Sequence, residues 1–188
     1  FDENGSVEQI LTTYNGQDSY PMVLRHNLVE QLPGLKRKYL KYASYKGQTI
    51  QDIFEEDVLA RATQLTAYTL ASTVWWGGED GTFIAQELPV AVQLSPMYAA
   101  LMVNMQGFDR PALIVGGNLY GVKPEAGRYD ASIGTVLELG LNREITALSS
   151  QESGLHVEGQ IRQIVPYNDT EFVILRNNLE ALNFTTNN

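Results

Sequence analysis

Apolar and polar positions change period once along this chain. Before residue 24, SVEQILTTYNGQDSYPM sets two β-prone runs on either side of Asn15-Gly16. Asn-Gly suits a two-residue type I′ turn, whose central residues both need positive φ, so a hairpin is expected there, ended by Pro21. Between residues 24 and 61 the apolar positions take helical spacing: Leu24, Leu28 and Leu32, then Leu35, Tyr39 and Tyr42. Pro33-Gly34 separates the two stretches. Thr49 followed by Asp52 reads as an approximate capping box, and EEDVLARA places acids in the first turn of another helix. Several short helices are therefore expected over 24–61.

From residue 62 the pattern is β to the end. ATQLTAYTLASTVWWGG and TFIAQELP flank the turn signal Glu79-Asp80-Gly81. MYAALMV pairs with ALIVGGN across NMQGFDRP, and IGTVLEL with REITALS across Gly140-Leu141-Asn142. GQIRQIVPY pairs with EFVILRN across Asn168-Asp169-Thr170, and LEALNF begins a further strand. Short strands joined by tight turns suit a sandwich, a barrel or a propeller. ALIVGGN and EFVILRN are similar strands, each following another by one short loop, at roughly the blade period of about 40–50 residues. The expected fold is mainly β: propeller-like blades of antiparallel strands in a single domain over 1–188, with a helical insertion near 24–61.

Three strings carry a family resemblance: YASYKGQTIQDIF, TLASTVWWGGEDGTFIAQELPVAVQLSPMYAALMV and LIVGGNLYGVKPEAGRYDASIG. They resemble FG-GAP/VCBS-type repeat proteins, large exported β-propeller proteins of Bacteroidetes-type bacteria related to the ASPIC/UnbV group. The match runs through most of residues 6–176, and QLSPMYA and GRYDASIG are its most specific parts. The resemblance implies part of a larger propeller, with the helices as an insertion, in an exported, periplasmic or cell-surface protein. In that family an Asp-rich loop between two strands supplies oxygen ligands to calcium. Here the loop reads VNMQGFDRP. Asn104, Gln106 and Asp109 echo the pattern with a single carboxylate, so calcium is not carried over, and no cofactor is expected.

Composition narrows the function classes. Hydrophobic residues make up 44% of the 188 and charged ones 19%, a globular balance. A net charge of −9 disfavours a phosphate backbone as partner, so nucleic acid is not expected. No cysteine is present, which excludes disulfides, thiolate catalysis and Cys-based zinc. No apolar run reaches the length of a membrane span, about 18 residues. The chain starts at Phe1 with neither an initiator Met nor a signal-peptide pattern, and is expected to be a piece of a longer protein. The basic residues Lys36, Arg37, Lys38 and Lys41 read as a solvated helix face.

The candidate site is the long stretch 118–132 between two strands, with Asn118, Tyr120, Glu125, Arg128, Tyr129 and Asp130. It is longer than a hairpin needs, and long ordered loops often carry function. Bracing is expected to come from Arg128 paired with a carboxylate, Tyr129 packed, and Asp130 capping the turn before Ser132. Of Trp75 and Trp76, which alternation sends to opposite faces, Trp76 joins the candidate ligand-binding set as an aromatic platform. His26 and His156 form no metal-binding pattern. Ser95 and Ser132 lack a nucleophile elbow, and Gly116-Gly117 is not a phosphate loop. These features point to a non-catalytic binding or scaffolding segment that presents its loops to a glycan or a protein. A glycan-active enzyme using Glu125 or Asp130 is one alternative. A structural assembly module, oligomerising through open sheet edges, is another.

Overall fold

The structure, a computed structural model, describes Phe1, residues 5–124 and residues 127–186. It divides into two compact units, Phe1–Ala67 and Tyr68–Asn188.

The first unit pairs β1 (Thr12–Asn15) with β2 (Asp18–Pro21). Asn15 faces Asp18 in register, so the turn centres on Gly16-Gln17, one residue beyond the expected Asn15-Gly16. Gly16 takes the positive φ of 66° that the first central position of a type II′ turn requires. Four short helices follow: α1 (Arg25–Gln31), α2 (Tyr42–Tyr45), α3 (Ile50–Ile53) and α4 (Glu56–Arg61). Leu28, Leu32, Tyr39, Ile53 and Phe54 form their buried core, with Ile10 and Val23 packed against it. Leu24 and Tyr42, expected on the apolar stripe, are half exposed because only one turn or two of helix forms around each. The Thr49–Asp52 capping box is present in full. Lys38 Nζ donates to the carbonyls of Asp52 (2.5 Å) and Ile53 (3.1 Å), closing the end of α3. The helices share this unit with the β1–β2 hairpin, whose flanking residues Ile10 and Val23 pack on the helical core. They precede the β-rich part of the chain instead of interrupting it.

The second unit is antiparallel β throughout. β3 (Thr73–Gly77) pairs with β4 (Phe83–Glu87). The expected strand from residue 62 begins only at Thr73, because 62–72 finds no ladder partner among the described residues and Leu65, Tyr68 and Leu70 stay exposed. A four-stranded meander follows: β5 (Met97–Val103), β6 (Ala112–Gly117), β7 (Thr135–Leu139) and β8 (Ile145–Leu148). Helix α5 (Ser150–Ser153) leads to a three-stranded sheet of β9 (Ile161–Pro166), β10 (Glu171–Arg176) and β11 (Leu182–Thr185). All four hairpins expected from β-prone runs on either side of a turn signal are formed. Among the described residues the sheets are small and open, and none closes into a barrel or a propeller.

The four-stranded sheet is covered on both faces, which accounts for the continuous apolar run in β6. Ile114 and Val136 point toward Ile161, Ile164, Phe172 and Ile174 of the three-stranded sheet. Val115 and Leu137 point the other way, onto Val92 and Leu88. Burying each such side chain stabilises the fold by about 1.5–3 kcal/mol. Gln93 latches the β3–β4 hairpin to this face by bonding both the N–H and the carbonyl of Ser72. No helix among the described residues is long and apolar enough to cross a membrane.

Candidate functional site

Strand β6 ends at Gly117 because the chain must there pass very close to its neighbour. A Cβ on Gly117 would overlap the Pro96 carbonyl, with the carbonyl carbon only 2.7 Å away. The next residue, Asn118, is 1% exposed and sits at φ 85°, a left-handed conformation that Asn tolerates better than most residues. Its side chain spans the foot of the 118–132 loop. Nδ2 donates to the carbonyls of Ser132 (2.7 Å) and Gly159 (2.8 Å), and Oδ1 accepts the Ser132 N–H (3.0 Å). Its backbone N–H donates to Pro96 at 2.9 Å. The polar capacity of this buried amide is thus well used.

Further out, Leu119 and Tyr129 form a two-way backbone bridge, at 2.8 and 3.0 Å. The Tyr120 N–H donates to Gln160 Oε1 at 3.0 Å. Gln160 Oε1 also accepts from Arg162 Nη2 at 2.8 Å. Arg162 Nη1 donates to the Asn118 carbonyl at 2.9 Å. The loop is therefore held at its base by Asn118 and along one side by the Gln160–Arg162 pair.

Tyr98 and Arg162 complete the frame. Each is the extra residue of a β-bulge, Tyr98 between Met97 and Ala99 on β5, and Arg162 between Ile161 and Gln163 on β9. Bulges re-aim side chains. Here they place the guanidinium 4.1 Å over the Tyr98 ring. A second such pair lies on the loop, with Arg128 5.1 Å over the Tyr120 ring.

Of the sequence-predicted residues, Asn118, Tyr120, Arg128, Tyr129 and Asp130 share this loop, and Glu125 lies outside the described residues. The expected bracing differs in its details. Arg128 stacks on Tyr120 and makes no ion pair among the described residues. Tyr129 is 47% exposed and contributes its backbone instead of packing. The Ser132 N–H is capped by Asn118, not by Asp130, which is exposed. An amide suits that position because it must donate to two carbonyls while accepting one N–H, and a carboxylate cannot donate.

Tyr98, Gln160 and Arg162 were not singled out in the sequence. Arg162 carried the one available signal, as the lone charge in the otherwise apolar and amide-rich run GQIRQIV. Trp76 lies away from the loop, lining a separate cleft, and its Nε1 donates to Gln86 Oε1 at 2.9 Å. The exposed indole is its neighbour Trp75, at 59%.

Asn104, Gln106 and Asp109 sit in the exposed β5–β6 turn. Backbone bonds hold this turn, from the N–H of Gln106 to the Thr186 carbonyl and from that of Phe108 to the Met105 carbonyl, both at 3.2 Å. No group of three or more His, Asp or Glu side chains is gathered among the described residues. His26 bonds the Tyr42 hydroxyl at 2.8 Å, and His156 faces Glu158 at 3.7 Å. Comparison with family models, curated proteins and solved structures finds no match to this chain.

Proposed function

We propose that this chain is a non-catalytic binding segment of an exported or cell-surface β-propeller protein, and that its 118–132 loop meets a glycan. One observation carries the reading: a loop clamped at its buried base by Asn118 displays Tyr129, Arg128 and Asp130 to solvent beside Tyr98 and Tyr120. Aromatic faces suit the apolar side of a sugar ring, and Arg and Asp suit its hydroxyls. A frame fixed beforehand lowers the ordering cost of binding. The propeller reading draws on the four-stranded β5–β8 meander, on the covering of both its faces, and on β9 running beside β5. An enzyme reading needs two carboxylates flanking a bond. Asp130 is the described carboxylate of this loop and has no hydrogen-bonded partner among the described residues that would set it up as an acid or base.

A glycan array tests the proposal, with wild-type protein beside Arg128→Ala and Asp130→Ala variants first checked for folding. Selective binding that weakens in the folded variants is expected. Absence of any selective binding, or variants that bind as well as wild type, would remove glycan recognition by this loop and leave protein assembly as the better reading.

A further inference from the structure

At the opposite end of β6 and β7 from the 118–132 loop, about 20 Å away by the length of six strand residues, lies a cleft of about 360 Å³. Trp76, Arg110, Leu139, Gly140, Asn142 and Arg143 line it. Its floor is apolar, from the half-buried indole and Leu139. Its rim carries two cations. Neither the Arg110 nor the Arg143 guanidinium makes a hydrogen bond or an ion pair among the described residues, although the protein carries a net charge of −9. The other arginines of this unit, Arg128, Arg162 and Arg176, are each engaged by a ring or by carbonyls.

The backbone under Arg143 is the second observation. Leu141–Glu144 is a type I′ turn, closed by the Glu144 N–H on the Leu141 carbonyl at 3.0 Å. Its central residues Asn142 and Arg143 have φ of 55° and 67°. Glycine is the favoured residue at the second central position, because a Cβ is strained there. Arginine occupies it in this chain, so its long side chain is set on the cleft rim against backbone preference. Strain of this kind is retained where a side chain has a task. The cleft wall is held firm: Gln86 accepts from the Trp76 indole and donates to the Arg143 carbonyl at 3.1 Å.

We infer that this cleft binds an acidic sugar, a uronate, whose carboxylate meets Arg110 and Arg143 while its ring lies on Trp76. Two unpaired guanidiniums supply forked donors for a carboxylate. The indole beside them supplies the flat apolar surface that a pyranose ring covers, which a bare anion would leave unused. This site is separate from the 118–132 loop and stands whether or not that loop binds a glycan.

Trp76 provides the readout. In a Trp75→Phe background, titration with trigalacturonate is expected to change Trp76 fluorescence saturably, while a neutral galactose trisaccharide does not. Arg110→Ala is expected to weaken binding about tenfold. Arg143→Gly gives the sharper arm. It removes the charge and relaxes the turn, so binding should fall about tenfold while the melting temperature holds or rises. Binding unchanged in folded Arg143→Gly, no fluorescence response, or equal binding of the neutral sugar would overturn the assignment. So would inorganic sulfate binding as tightly as the uronate, since ring recognition would then be absent.

Discussion

The guanidinium of Arg162 lies 4.1 Å over the ring of Tyr98, and each of the two residues is the extra member of a β-bulge on a different sheet. Regular pairing would send both side chains elsewhere. The two irregularities together bring a cation to the foot of the 118–132 loop, where it also holds the Asn118 carbonyl and Gln160.

Arg162→Lys tests that arrangement. A lysine keeps the charge but cannot serve Asn118, Gln160 and the Tyr98 face with one planar fork. The expected outcome is a loss of roughly 1–2 kcal/mol, with faster amide exchange at Leu119, Tyr120 and Tyr129. Exchange at Val136 and Leu137, deep in the sheet, should hold its rate. If the loop amides keep wild-type protection, the bulge pair does not brace the loop.

Asn118 makes a second test, because its two roles can be separated. Asn118→Gly retains the positive φ and removes the side-chain bonds to Ser132 and Gly159. A cost of roughly 2–3 kcal/mol is expected from the buried groups left unpaired, seen as a fall in Tm of roughly 5–10 °C. Asn118→Asp should be worse, since it turns an oxygen toward two carbonyl oxygens. Equal melting temperatures for the two variants would mean that the buried amide is not the clamp.

The strands of the second unit were legible because short apolar or alternating runs bounded by turn residues are a local signal. ALIVGGN and EFVILRN are apolar runs, IGTVLEL alternates, and each contains a strand. What the sequence could not show are facts set by distant neighbours. The run 62–72 has strand composition but no strand partner among the described residues. The helical stretch 24–61 is an insertion only as the family resemblance implies it, since periodicity does not say which core such helices join. Within the site, the loop itself could be read from its length and its polar cluster. Its clamp could not, since the partners of Asn118 at Ser132 and Gly159 lie 14 and 41 residues away.

Gly116 and Gly117 are adjacent but should differ in tolerance. A Cβ on Gly116 meets the side chain of Ile161, which can shift, whereas on Gly117 it meets the Pro96 backbone. Gly116→Ala is expected to lower stability by about 1–3 kcal/mol through overpacking. Gly117→Ala should cost more, and should also part β5 from β6 where Asn118 bonds Pro96. Urea denaturation of the two variants ranks them, and the reverse order would contradict the close approach.

Acid should weaken this protein through its helix and turn carboxylates. Backbone and hydroxyl bonds from Thr49 hold Asp52 below the usual carboxylate range, and those from Ser149 do the same for Glu152. Thr82 does so for Asp80 in the β3–β4 turn. A folded pKa below the unfolded one gives stability that is fully present above about pH 4–4.5. It is lost as pH falls through the folded value. All three groups face solvent, so each share is small. Ser149→Ala should lower Tm at pH 7 and leave a shallower decline between about pH 5 and pH 2. A variant whose acid decline matches wild type would show that this capping box does not contribute.

The stretch from Ala62 to Ser72 offers the most accessible backbone for proteolysis. It has no strand partner among the described residues, and Leu65, Tyr68 and Leu70 are 89%, 94% and 95% exposed. A protease needs several residues in extended, unpaired form, and this segment already has them. Chymotrypsin at low ratio should therefore cut first after Leu65, Tyr68 or Leu70, and mass spectrometry should find two fragments divided near Ala67. Each fragment retains its own buried core, one around Leu28 and Tyr39 and the other around Ile114 and Ile174. Both should then resist further cleavage longer than the intact chain resists the first cut. Early cuts within β5–β8 would mean that the four-stranded sheet opens more readily than the linker, against the burial of its two faces.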